Sequence, residues 1–233
     1  MVIAEGFSHE GRRKNNEDSF LIAENFAIVA DGMGGHSKGE VASGMAVGSI
    51  KKCLDSSSEI TENKIINAIE KANKEIFKKA TEDHSMSDMG TTVVMCSWNG
   101  DKAIVANVGD SRCYHCYGKT IKQITTDHSY VQSLIDSGKI TAKEAEERTD
   151  KNIILRAVGC EEDVEVDIFN IDVNKDDLLI LCSDGLSGAV PDEDIRKIAQ
   201  ENKNVKKAAE LLVNEANKNG GTDNITVVII KFE

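Results

Sequence analysis

Five apolar, β-branched runs in this 233-residue sequence begin or end at an aspartate, and no other feature constrains the fold as much. Phe26-Ala-Ile-Val-Ala stops at Asp31-Gly32, Ala103-Ile-Val-Ala-Asn-Val at Gly109-Asp110, and Leu178-Leu-Ile-Leu-Cys at Ser183-Asp184-Gly185. Asn16-Glu17-Asp18 opens Ser19-Phe-Leu-Ile-Ala, and Asp223-Asn224 opens Ile225-Thr-Val-Val-Ile-Ile. A single Asp-Gly step is only a turn signal. Five acids at the ends of core strands say more: in antiparallel neighbours the end of one strand lies beside the start of the next, so these aspartates are expected to meet on one rim.

The remaining sequence supplies the layers. Strand-like runs cover 19–23, 26–30, 91–97, 102–108, 112–117, 120–125, 164–173, 178–182 and 225–232, with a hairpin turn at Tyr117-Gly118-Lys119. Ile65, Ile69, Ala72, Ile76 and Ala80 repeat at helical spacing behind a Thr61 cap, as do Val205, Ala208, Ala209, Leu212 and Ala216 behind Asn204. A third helix, over 37–54, carries Ala42, Gly44, Ala46 and Gly48, small residues that suit close packing. Pairs of helices separate pairs of strands, which predicts an α+β layered sandwich of mostly antiparallel sheets. With one proline and no repeat or linker, residues 1–233 read as a single domain.

A net charge of −12 argues against nucleic acid as a partner. No apolar run reaches the roughly 18 residues that span a bilayer, and the first residues do not form a secretion signal, so a cytoplasmic protein without membrane insertion is expected. The six cysteines fall mostly in apolar runs and read as free thiols. Cys113 and Cys116 are three apart in Cys-Tyr-His-Cys, which on a strand turns them to opposite faces and disfavours a zinc or redox pair.

Carboxylates crowded together must protonate, pair with a cationic side chain, or bind cations. Arg13 is the one nearby fixed positive charge, and its fork also suits a phosphate. All-oxygen ligands without a His-Cys cluster favour Mg²⁺ or Mn²⁺. Two such ions would activate a water between them for attack on phosphorus or a carbonyl. Gly32-Met-Gly34-Gly35-His-Ser-Lys38 lacks the Gly-Lys step of a nucleotide-binding loop and reads as a tight turn exposing the Gly32 carbonyl. His36 and His128 are each a general acid or a structural hydrogen-bonder, with structure favoured for His128. Neither a Gly-x-Ser-x-Gly elbow nor a Cys-x5-Arg loop is present to carry a covalent intermediate.

Eight pieces, in order, make the sequence resemble the metal-dependent protein phosphatases of type 2C, the PPM family, in compact bacterial form. They are Arg13-Lys-Asn-Asn-Glu-Asp18, Asp31-Gly-Met-Gly-Gly35, Gly90-Thr-Thr92, Gly109-Asp-Ser-Arg112, Thr126-Asp-His-Ser129, Leu155-Arg-Ala-Val-Gly159, Ser183-Asp-Gly-Leu186 and Gly221-Thr-Asp-Asn224. The resemblance implies a four-layer α-β-β-α sandwich with two Mn²⁺ or Mg²⁺ ions at one end, and a weaker third. It implies Asp31 as ligand of both ions, Asp184 and Asp223 at one, the Gly32 carbonyl at the other, and Asp18 and Glu17 acting mostly through waters. Asp110 with Asp184 resembles the third site, Arg13 the phosphate-binding arginine, and 129–152 a flap beside the substrate. The implied reaction is in-line attack of a metal-bridging hydroxide on phosphoserine or phosphothreonine, by a monomer that opposes a Ser/Thr kinase. A phosphoprotein-binding pseudophosphatase and a hydrolase of small phosphoesters are the alternatives. Three departures stand out: Met33 replaces a histidine proposed as general acid elsewhere, leaving His36 or a metal-bound water as donor. Gly188 replaces an acidic third-site ligand, and Gly11 lies one place closer to Arg13 than in most members.

Overall fold

The computed structural model describes residues 1–34, 38–55, 59–146, 148, 150 and 152–233. Among the described residues, eleven strands follow one another as β1 (Val2–His9), β2 (Asp18–Ile22), β3 (Phe26–Met33), β4 (Gly90–Thr91), β5 (Val93–Asn99), β6 (Lys102–Val108), β7 (Arg112–Tyr117), β8 (Thr120–Gln123), β9 (Asp167–Asp172), β10 (Leu178–Cys182) and β11 (Ile225–Phe232). One sheet runs β1-β11-β10-β7-β8 and the other β2-β3-β5-β6-β9, with β4 paired to β3. Every pairing is antiparallel.

Three apolar clusters give the four expected layers. Val29, Val94 and Val105 of one sheet meet Leu181, Val228 and Ile230 of the other in the middle. On the outer face of the β3 sheet, Ile28, Val93 and Met95 pack against α1 (Lys38–Leu54) and α2 (Glu62–Glu82). On the far side, Tyr114, Ile180 and Ile229 pack against α6 (Asp192–Glu201) and α7 (Val205–Lys218). Each sheet is thus covered on both faces, so its central strands read as unbroken apolar runs instead of alternating. Three short helices complete the set: α3 (Tyr130–Asp136), α4 (Ala142–Glu146) and α5 (Asp184–Ser187).

Local departures from the sequence reading have physical causes. The run at 91–97 breaks at Thr92, which leaves the ladder to accept the Asp31 N–H at 3.0 Å and to donate its own N–H to the Asp31 carbonyl at 2.8 Å. Two other runs shorten, to Thr120–Gln123 and Asp167–Asp172. β1 went unread because Glu5 and Gly6 dilute its apolar signal; it is half-buried throughout and pairs with β11 alone. In α6 only Ile195 and Ala199 are buried. Thr61 precedes α2 in extended conformation but makes no side-chain cap bond, whereas the Asn204 side chain does accept the Lys207 N–H at 3.0 Å. All six cysteines are free; Cys113 packs between the sheets and Cys116 against the helices, on opposite faces as expected.

Candidate active site

The strand ends do meet. Asp18 and Asp31 stand directly opposite in the β2–β3 register. From the other sheet, β10 leads through Ser183 into Asp184 at the start of α5, and its neighbour β11 is entered through Asp223. Asp110 follows Gly109, whose left-handed φ of +109° turns the chain off β6. Three acids from one sheet therefore face two from the other across the mouth of the sandwich.

Two of these acids keep a buried oxygen without a partner. Asp18 Oδ2 accepts hydrogen bonds from Thr226 Oγ1 at 2.6 Å and Ser183 Oγ at 2.9 Å, bridging the two sheets. Its Oδ1 is buried with no partner, and so is Asp110 Oδ1. Arg13 Nη2 donates to Asp223 Oδ2 at 2.8 Å, and Arg13 Nε donates to the Thr222 carbonyl. Asp31 and Asp184 hydrogen-bond each other through their side chains.

The electrostatics follow from that crowding. Burial, then the charges of Asp18, Asp184, Asp110 and Asp223, pushes Asp31 well above the ordinary carboxylate range. Burial drives Asp18 up to about 6, against the pull of its two hydroxyl donors. Asp184 rises to about 6 through burial and Asp223, and Asp110 to about 7 through burial, Asp184 and Asp127. Buried unpaired oxygens cost free energy that protonation or a cation relieves. Among the described residues no three acid, imidazole or thiol groups stand in a finished cation shell. The donor set nevertheless suits a hard divalent cation: oxygen throughout, with two buried carboxylate oxygens free to coordinate.

The surrounding backbone is shaped to leave this space. A Cβ at Gly32 would lie 2.1 Å from the Gly39 carbonyl oxygen, and one at Gly39 2.6 Å from the Gly32 carbonyl oxygen. Two glycines are required for the start of α1 to sit against the end of β3. Gly32 N–H donates to the Glu17 carbonyl at 3.2 Å, which also accepts from Ser43 Oγ at 2.6 Å. Glu17 thus meets the end of β3 through its backbone carbonyl.

Of the sequence-derived site residues, Arg13, Glu17, Asp18, Asp31, Gly32, Asp110, Asp184 and Asp223 gather at this mouth. His36 lies outside the described residues. His128 has a structural setting: Nδ1 accepts the Gly109 N–H at 3.0 Å and Nε2 lies 3.2 Å from Asp167 Oδ2. The sequence reading gave no role to Asn224. Its Oδ1 accepts the Glu17 N–H at 2.8 Å while its Nδ2 donates to the Asn15 carbonyl at 2.9 Å and the Glu10 carbonyl at 3.1 Å, tying down the loop that carries Arg13. Ser183, Thr226 and Thr92, which fix Asp18 and Asp31, were missed as well. Polar residues beside an acidic strand end were the only available signal.

Known proteins share this arrangement. The family model for protein phosphatase 2C matches residues 5–224. The serine/threonine phosphatase Stp of Listeria monocytogenes is 38% identical, over 98% of this chain and 95% of its own. The crystal structure of the Mycobacterium tuberculosis serine/threonine phosphatase PstP superposes with a TM-score of 0.94 at 34% identity, covering 100% of this chain and 99% of that one. The catalytic domain of PstP, solved in complex with two manganese ions, superposes at 0.90 with 33% identity over 99% and 97% of the two chains. With its motifs in family order, its fold matched end to end and its aspartates gathered at one mouth, the chain belongs to the protein phosphatase 2C family.

Proposed function

We propose that this chain, a serine/threonine protein phosphatase, hydrolyses phosphoserine and phosphothreonine with two divalent cations held at the aspartate mouth. The observation that carries this reading is the pair of buried, unpartnered oxygens on Asp18 and Asp110 within a cluster of five acids beside Arg13. Asp31 would hold both ions, Asp184 and Asp223 one, and the Gly32 carbonyl the other, with Asp18 and Glu17 acting through waters. Asp110 and Asp184 would hold a weaker third. Bound there, divalent cations acidify water and neutralise phosphoryl oxygens. The oxygen-only donor set fits Mn²⁺ or Mg²⁺, and PstP was solved with manganese.

The side chains of this protein do the positioning. Arg13 is 57% exposed and reaches the mouth from a loop anchored by Asn224, so its free N–H groups are available to a phosphoryl group without repacking. Asp18, opposite Asp31 and locked by Ser183 and Thr226, keeps the two sheets in register where the substrate enters. His36 is proposed as proton donor. Residues 129–152 are proposed as a flap flanking the bound phosphoprotein. The described part contains α3, capped by Ser129 Oγ accepting the Gln132 N–H, and α4, and Ser129 bridges to Ile154 where the segment returns.

Among the described residues no helix is long and apolar enough to cross a membrane. We place the enzyme in the cytoplasm as a monomeric, single-domain phosphatase opposing a Ser/Thr kinase. Asp184→Asn is expected to abolish Mn²⁺-dependent phosphate release from a phosphothreonine peptide, a loss of at least about a hundredfold. Undiminished turnover in excess chelator would overturn the metal reading.

A further inference from the structure

A cleft of about 480 Å³ opens between β7–β8 of one sheet and β9 of the other, lined by His115, Tyr117, Lys122, Phe169, Ile171 and Asp177 among others. It lies away from the aspartates: Asp177 precedes β10 and Asp184 follows it, so one strand, about 16 Å at 3.3 Å per residue, separates the two. At this end of the middle layer a buried histidine stands against a buried aspartate. His115 and Asp177 are only 8% and 6% exposed, with His115 Nε2 3.0 Å from Asp177 Oδ2. The same oxygen accepts the Asn174 N–H at 2.9 Å. Because a carboxylate accepts, Nε2 is the donor. Among the described residues Nδ1 has no hydrogen-bond partner, although the ring is fixed by Asp177 and packs on Tyr117 with centroids 4.8 Å apart.

Of the acids that line the cleft, Asp172 pairs with Lys102 and Asp177 is hydrogen-bonded to His115. Lys122, directly across the β7–β8 ladder from His115, has no ion-pair partner among the described residues. On a chain of net charge −12 this leaves one lysine at the cleft without a matching acid. Its walls include Tyr117, itself 40% exposed, together with Phe169 and Ile171. The lining mixes these apolar side chains with polar ones in about equal measure, and a concavity of this size accommodates a small molecule.

We propose that this cleft binds a small aromatic anion, a flat ring system with one carboxylate, sulfonate or phosphate, the ring lying against Tyr117 and Phe169 and the anionic group meeting Lys122. The site is independent of the catalytic reading, and no residue of the aspartate mouth takes part in it. Its test is a titration of the full chain with 2-naphthoate, followed by ¹H–¹⁵N correlation spectra. Saturable changes are expected at His115, Tyr117, Lys122 and Phe169. Neutral 2-naphthylmethanol, or 2-naphthoate on Lys122→Glu, should bind about tenfold more weakly, the size of one partly exposed charge. Lys122→Glu should keep its phosphatase activity, and Ile171→Trp, which fills the cleft, should not bind the probe while retaining a dispersed spectrum. Changes confined to residues around Asp31 and Asp184, no saturable changes, or equal affinity in Lys122→Glu would overturn the proposal.

Discussion

Asn224 uses three side-chain hydrogen bonds to fasten residues 10–17, the stretch that presents Arg13 and Asp18, to the start of β11. It is 5% exposed, and removing its amide deletes all three of these hydrogen bonds. Asn224→Ala is expected to cost about 2 kcal/mol in chemical denaturation, at a net ~0.5–1.5 kcal/mol for each hydrogen bond lost. A loosened Arg13 loop should also raise KM for a phosphopeptide far more than it lowers kcat, a split that global destabilisation alone would not give. The residue sat inside a quoted motif, yet its task was invisible: a sequence displays residue types and spacing, while these partners lie more than 200 positions away. The acids were legible because their place at strand ends is a local signal. Ser183 and Thr226, which converge on one oxygen of Asp18, offered only their places beside acidic strand ends.

Elements were read best where they are buried on both sides. β6, β7, β10 and β11 keep the bounds their apolar runs suggest, because a covered strand must be apolar until it ends. β1 and α6, with few buried side chains, were not seen at all. Of the small residues read as a packing stripe in α1, Ala42 and Ala46 are fully buried while Gly44 and Gly48 are exposed. The tight contact is at Gly39, outside that stripe, where a Cβ would lie 2.6 Å from the backbone of Gly32, whereas a Cβ at Gly48 would touch nothing within 4 Å. Gly39→Ala is therefore expected to destabilise the fold by about 3 kcal/mol, since neither contacting backbone can yield, and to weaken Mn²⁺ binding measured by calorimetry as the Gly32 carbonyl moves. Gly48→Ala, in the same helix, should stabilise by about 1 kcal/mol through helix propensity. Opposite changes in melting temperature from one substitution type would locate the contact at Gly39.

At the scale of the whole molecule, the two sheets bring like charges together. Burial and mutual repulsion push Asp18, Asp110 and Asp184 up to about 6 to 7 in the folded chain, from 3.8 for an ordinary aspartate, and raise Asp31 well above that ordinary value. A carboxyl whose folded value is raised stabilises the fold fully only below its unfolded value, and that stability is lost as pH rises through the folded value. The chelated protein should accordingly lose stability between about pH 4 and 7, on the order of 3 kcal/mol for a two-unit shift. His128, lowered by burial, runs the opposite way, losing its contribution as pH falls below its ordinary 6.5, but it does so with or without cations. Urea midpoints of chelated and Mn²⁺-loaded protein, compared across that range, should diverge as pH rises; parallel curves would contradict the charge cluster. The layers and the acidic rim were legible from strand ends alone, while the degree of crowding required the register of Asp18 against Asp31 and of β10 against β11. That crowding also bears on how such a sequence drifts. Replacing Asp31 with an uncharged isostere relieves repulsion in the cation-free fold, so a lineage released from the need to hydrolyse phosphate would find sturdier sequences one mutation away.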